Sequence, residues 1–198
     1  MERAVYKPLP MSMMRDGVVC QPPATGPKPV RLDTPAIEVM TDLRQVAPAT
    51  IRADASIGQA ERVMIARGVR LLLVVDVTGE VEGLITARDI VGEKPLKLVR
   101  DRGGKHDNLA VADLMVPRSA IDVLPIESVV KMEVGDVVAT LKDVGRQHAL
   151  VVDHDRLTGE DFVRGIFSAT QIGRQLGVPI LIFEVAHTFA EIENELAK

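Results

Sequence analysis

The stretch "GLITARD", residues 83–89, ends an apolar run with a hydroxyl, a guanidinium and a carboxylate: Thr86, Arg88 and Asp89. An ionised carboxylate offers about four acceptor positions on two oxygens, so Asp89 could take hydrogen bonds from two neighbouring hydroxyls of a ligand at once. Thr86 could add a hydroxyl contact, and the free N–H groups of a helix opening here favour an anion. The same residues have a role that needs no ligand, because Thr-x-x-Asp is close to the capping box with which helices begin. The two roles are compatible, since Thr86 can serve both.

Eighty-two positions later the chain reads "GIFSATQ", with Ser168 and Gln171 in the places of Thr86 and Asp89. Ser-x-x-Gln is a full capping box. A neutral amide with one acceptor oxygen can still cap, but it cannot grip a pair of hydroxyls as a carboxylate does. The first copy is therefore the stronger candidate site.

The echo extends well beyond these motifs. "VMTDLRQVAPATIRADASIGQAERVMIARGVRLLLVVDVTGEVEGLITARDI" is answered by "LMVPRSAIDVLPIESVVKMEVGDVVATLKDVGRQHALVVDHDRLTGEDFVRGIFSATQI". Met40 corresponds to Met115, "LVVD" at 73–76 to "LVVD" at 150–153, and Gly83 to Gly165, with the offset growing where loops absorb insertions. In the first copy Ser56 and Gln59 open a helix with an apolar stripe of Ile57, Ala60, Val63 and Met64, and Gly68 closes it. "RLLLVVD" is a short apolar run suited to a strand buried on both faces, "VTGE" supplies a turn, and "VEGLIT" returns as its partner. Thr86 then opens a short helix running toward Gly92. With a first strand near 48–51, the order is strand, helix, strand, strand, helix. The second copy predicts a helix over 134–144, strands over 148–153 and 162–167, and a helix from Ser168.

A unit of about 55 residues is small for an independent core, so the two sheets are expected to stack on each other. The expected fold is α/β (α+β), two repeats packed through their sheets with pseudo-two-fold symmetry and a cleft between them. The chain divides into a Pro-rich arm (1–30), a first repeat (31–95), a linker (96–110), a second repeat (111–178) and an amphipathic helix (179–198).

Composition narrows the function. A 198-residue chain with 46% hydrophobic residues can bury a sizeable core, and a net charge of −4 gives no field to draw in nucleic acid or an anionic membrane. Cys20 stands alone, and no Cys/His cluster has zinc spacing, which fits a reducing, cytoplasmic setting with no metal. The apolar runs are far shorter than the roughly 18 residues of a membrane helix, and six prolines in the first thirty residues do not suit a signal peptide. No nucleophile-base set or phosphate-gripping Gly-rich loop is legible, so no enzymatic activity is expected. The connector "GEKPLKLVRDRGGKHDNLA" reads as a solvated, slightly basic linker, and His154 between Asp153 and Asp155 as a solvated turn. The C-terminal stripe Ile182, Val185, Phe189, Ile192 and Leu196 suits either a dimer seam or packing on its own domain.

"VMT", "GVRLLLVVD" and "GLITARDI", with the weaker "LM", "GRQHALVVD" and "GIFSATQI", resemble the tandem cystathionine beta-synthase (CBS) domain, or Bateman module, over about residues 36–177. Where that family usually has Leu-Pro before Val-Val-Asp, this chain has Leu72-Leu73 and Ala149-Leu150, a difference expected to affect packing and not ligand binding. The resemblance implies a regulatory module that binds AMP, ADP or ATP, with S-adenosylmethionine or NADH behind them, requires no cofactor, and forms a homodimeric disc. It implies that Asp89 and Thr86 hold the ribose, that Arg88 and Arg70 reach the phosphates, and that Ile51 and Leu84 flank the base. A second site would use Ser168, Gln171, Ile166 and His148, the last standing where the family often places a phosphate-contacting His or Arg. The function expected is a stand-alone sensor signalling in trans to an unidentified regulated protein; the alternative is a structural or interaction protein with decayed sites.

Overall fold

The computed structural model describes residues 11–16, 18, 19, 27–103 and 106–182. Most of the expected N-terminal arm and nearly all of the C-terminal helix lie outside these. Eight strands form two four-stranded sheets: β1 Thr41–Asp42, β2 Thr50–Ile51, β3 Leu71–Val75, β4 Val81–Thr86, β5 Val116–Pro117, β6 Val123–Pro125, β7 His148–His154 and β8 Asp161–Ser168. The helices are α1 Ile57–Arg67, α2 Ala87–Val91, α3 Glu93–Arg102, α4 Val111–Leu114, α5 Ile126–Val129, α6 Val134–Asp143 and α7 Ala169–Leu176.

Local chemistry accounts for the main elements. Ser56 Oγ accepts the Gln59 N–H at 3.2 Å to start α1, and Gly68, at φ 64°, ends it in the left-handed region that L side chains avoid. In the β3–β4 turn, Asp76 Oδ1 accepts from the Thr78 and Glu80 N–H groups at 2.8 and 2.9 Å. Alternation then sorts β3: Leu72 and Val74 enter a core with Ile57, Ala60 and Met64 of α1, while Leu71 and Leu73 face Leu84 and Leu150 in a cluster between the sheets. The run "LLLVV" is continuously apolar because both its faces are covered.

Sheet order shows how the repeats are tied. The first sheet runs β2-β3-β4-β5 and the second β6-β7-β8-β1, so each repeat gives its leading strand to the other repeat's sheet. Ala36, Val39 and Met40 lie in the second core with Val129, Val151 and Phe167; Leu109, Val111 and Leu114 lie in the first with Ile57 and Leu72. Backbone bonds repeat the exchange, with Ala36 N–H donating to Met132 O and Ile57 N–H to Leu109 O, both at 2.8 Å. The packing therefore does not follow the contiguous repeats expected from the sequence. The connector is also more than a linker: α3 spans much of it, with Leu98 and Val99 packed against the first core, and His106 Nε2 lies 3.0 Å from Ile90 O.

The exchange explains the paired glycines and methionines. A Cβ on Gly83 would lie 2.4 Å from the Val116 carbonyl oxygen, and one on Gly165 would lie 2.4 Å from Met40 Sδ. Backbone in a sheet cannot yield as a thioether can. Gly83→Ala should therefore destabilise the protein by about 2–3 kcal/mol and Gly165→Ala by about 1 kcal/mol. Met40→Ala should offset much of the second change and none of the first. Urea denaturation of the single and double variants checks this; equal costs for the two glycine substitutions would contradict it.

Candidate functional site

β3 and β4 are paired so that Leu71 lies opposite Thr86, and β7 and β8 so that His148 lies opposite Ser168. Both copies thus bring a strand start and the start of a helix to one end of the hairpin. At this end a cavity of about 550 Å³ opens between the repeats. Arg70, Leu84, Thr86, Arg88 and Asp89 line it from the first copy, and Val144, Arg146, Gln147 and His148 from the second, with Val116 of β5 beside them.

Asp89 caps α2. Its Oδ2 accepts from the Thr86 N–H at 2.8 Å and from the Thr86 hydroxyl at 2.6 Å, while Oδ1 accepts no hydrogen bond among the described residues. Cap and grip are thereby divided between two oxygens: the free Oδ1 retains positions for two donors. α2 is only five residues long, so the guanidiniums and not a helix dipole dominate the attraction for an anion.

Arg70 reaches across the cleft. Its Nη2 donates to Gln147 Oε1 at 3.4 Å and to Thr170 Oγ1. Arg146 Nη2 donates to Ala120 O at 2.9 Å. Burial first, and then the positive charge of Arg70, push His148 down from 6.5 to about 4, with Asp89 opposing, so the imidazole is neutral at neutral pH.

The expected site residues divide unevenly. Thr86, Asp89, Arg88, Arg70 and Leu84 meet at the cavity, but Ile51 does not; it is 6% exposed and packed with Ile57 and Leu72 on the helix-covered face of the first sheet. Of the second set, His148 lines this same cavity. Ile166 packs between the sheets instead. The Ser168 side chain makes no cap on α7, and Gln171 Oε1 accepts the Thr41 hydroxyl at 3.2 Å, so Ser-x-x-Gln does not act as the expected capping box. β1 supplies that competing donor, which sequence spacing could not foresee. Arg146 and Gln147 were not singled out from the sequence. Aligning "GVRLLLVVD" with "GRQHALVVD" sets Gln147 opposite Arg70, and that correspondence was the available signal for Gln147.

Two stacked α+β repeats with a polar cleft at the ends of their hairpins define a paired α+β module as the structural class. Residues 36–95 match the family model of the CBS domain. Residues 36–95 are thus a CBS domain, and the repeat that follows makes the chain consistent with a tandem, or Bateman, pair. Its fold is similar to the crystal structure of an uncharacterized conserved protein from Pyrococcus horikoshii, at a TM-score of 0.52 and 21% identity over 73% of this chain and 93% of that one. It is also similar to a CBS-domain containing protein from Agrobacterium tumefaciens, at 0.50 and 19% over 69% and 93%. A 63-residue stretch is 41% identical to an error-prone DNA polymerase of Anaeromyxobacter dehalogenans, covering 31% of this chain and 5% of the polymerase. That match concerns a short segment and not the polymerase as a whole.

His148 makes stability depend on pH. Its folded value, about 4, lies below the unfolded 6.5, so on acidification the unfolded chain takes up the proton first. The stabilisation is complete above about pH 6.5 and is lost as pH falls toward 4, at up to about 1.4 kcal/mol per pH unit. His148→Leu, matching Leu71 of the first copy, should flatten this part of the stability profile in urea melts between pH 4 and 7. An unchanged profile would show that His148 does not control it.

Proposed function

We propose that the cleft binds one adenosine nucleotide, AMP, ADP or ATP, per chain, and that the protein is a regulatory module whose liganded shape is read by a partner in trans. The observation that carries this reading is the convergence of Asp89, Arg70, Arg88 and neutral His148 on one cavity between the repeats. Its volume suits a small ligand. In this reading Asp89 Oδ1 would accept the ribose diol, the arginines suit phosphate, and Leu84, Val116 and Val144 would give the base an apolar wall. S-adenosylmethionine, with a cationic sulfonium, fits the arginines less well.

Binding signals only if the ligand discriminates between two arrangements of the module. The reading requires no chemistry on the ligand, so the module acts by binding and not by catalysis. A homodimer in the cytoplasm, with an unidentified regulated protein, completes it. The structural-protein alternative draws support from Gln147, Thr170 and Gln171, which stand where the first copy has Arg70, Arg88 and Asp89. That support concerns the second copy alone.

Calorimetric titration with AMP, ADP, ATP and S-adenosylmethionine tests the proposal. Saturation near one per chain is expected for at least one of the three nucleotides. Asp89→Ala should abolish it while costing about 1 kcal/mol of stability through the lost cap. No binding by the wild-type chain, or unchanged affinity in Asp89→Ala, would overturn the site as drawn.

A further inference from the structure

Arg70 both lines the cavity and ties the repeats together, and its stereochemistry sets these roles against each other. A guanidinium grips an oxyanion bidentately through one of two forks, Nε with Nη2 or Nη1 with Nη2. Both forks use Nη2. In this structure Nη2 already donates to Gln147 Oε1 and to Thr170 Oγ1, which matches the two hydrogens it carries. A phosphate held by Arg70 through either fork must therefore displace at least one of these bonds.

The two acceptors are not incidental neighbours. Repeat correspondence makes Gln147 the counterpart of Arg70, and Thr170 that of Arg88. The second copy has thus replaced two cations by two acceptors, and the first copy's Arg70 bonds to both. We infer that Gln147 and Thr170 are positioning residues that lower the anion affinity of the cavity by holding Arg70, and that phosphate binding breaks at least one of the two bonds by which Arg70 ties α7 and the start of β7 to the first repeat. The inference rests on the nucleotide reading only for the identity of the anion. Thr170 does not line the cavity, so its influence passes through Arg70. Loss of the tether on binding gives the two arrangements the different ligand affinities that a sensor requires.

The test titrates the full chain separately with ATP and with inorganic pyrophosphate, comparing wild type, Thr170→Val, Thr170→Ser and Gln147→Leu. Thr170→Val removes the acceptor at nearly constant volume and should bind both probes about three- to tenfold more tightly, the range expected for releasing one hydrogen bond of ordinary net strength. Thr170→Ser retains the hydroxyl and should bind as wild type. Gln147→Leu should shift affinity in the same direction as Thr170→Val and serves if that variant does not fold. Equal or weaker binding by Thr170→Val and Gln147→Leu overturns the tether and leaves the nucleotide reading standing. Pyrophosphate binding in the expected order without ATP binding overturns ATP as the nucleotide and supports the tether. Binding of neither probe by any of the chains overturns the tether and ATP as the nucleotide.

Discussion

The two sheets cover one another, and the placement of chemistry in this molecule depends on that stacking. Leu71 and Leu73 face the opposing sheet while Leu72 and Val74 face α1, so no position along the middle of β3 is open to a polar side chain. Polar chemistry is pushed to the strand ends. Arg70 and Gln147 immediately precede β3 and β7, His148 begins β7, and Thr86 and Ser168 end β4 and β8. The registers Leu71 to Thr86 and His148 to Ser168 bring these ends together in each copy. Stacking then sets the two copies' ends across one cleft. The exchange of leading strands reinforces the arrangement, because each core contains a segment that belongs in sequence to the other repeat.

Within this duplicated frame, packing is kept in both copies and charge in one. Gly83 and Gly165 both lie close against the incoming segment of the other repeat, with Met115 near the first and Met40 directly against the second. Arg70, Arg88 and Asp89, by contrast, give way to Gln147, Thr170 and Gln171. Electrostatics gives a reason for the first of these differences. Arg70 contacts residue 147 across the cleft, and an arginine there would set two guanidiniums against each other in a partly desolvated site. A glutamine turns that repulsion into a hydrogen bond. Strict symmetry close to the pseudo-two-fold axis is costly for a charged residue and costs nothing for a leucine.

Much of this was legible from residue types. The Ser56 cap, the closing Gly68, the apolar run of β3 and the repeat itself all act locally or through a short period, and each appears as expected. What escaped notice depends on contacts distant in sequence. Strand exchange joins Thr41 to Ile166 and Leu84 to Val116, and no local pattern separates an exchanged strand from a retained one. Gln171 had the right spacing for a cap, but β1 brought Thr41 within reach of its amide oxygen. Ile51 has the composition of a base-flanking residue, yet the pleat directs it into the helix-covered core. α3 was masked by its charges, since a sequence rich in Lys and Arg reads as solvated until Leu98 and Val99 are seen to share an inward face.

His148 shows how the cavity's charge is apportioned. Its three influences do not agree: burial and Arg70 favour the neutral ring, Asp89 the charged one, and the first two prevail. A neutral imidazole adds no repulsion to a cleft already lined by Arg70, Arg88 and Arg146. The attraction for an anion then comes from guanidiniums, which do not titrate in the physiological range and so hold their charge as pH changes. Entry of a phosphate would reverse the local field at His148, since an anion favours the protonated ring by the same Coulombic argument that makes Arg70 disfavour it. The imidazole is thus held uncharged in the cavity as it stands.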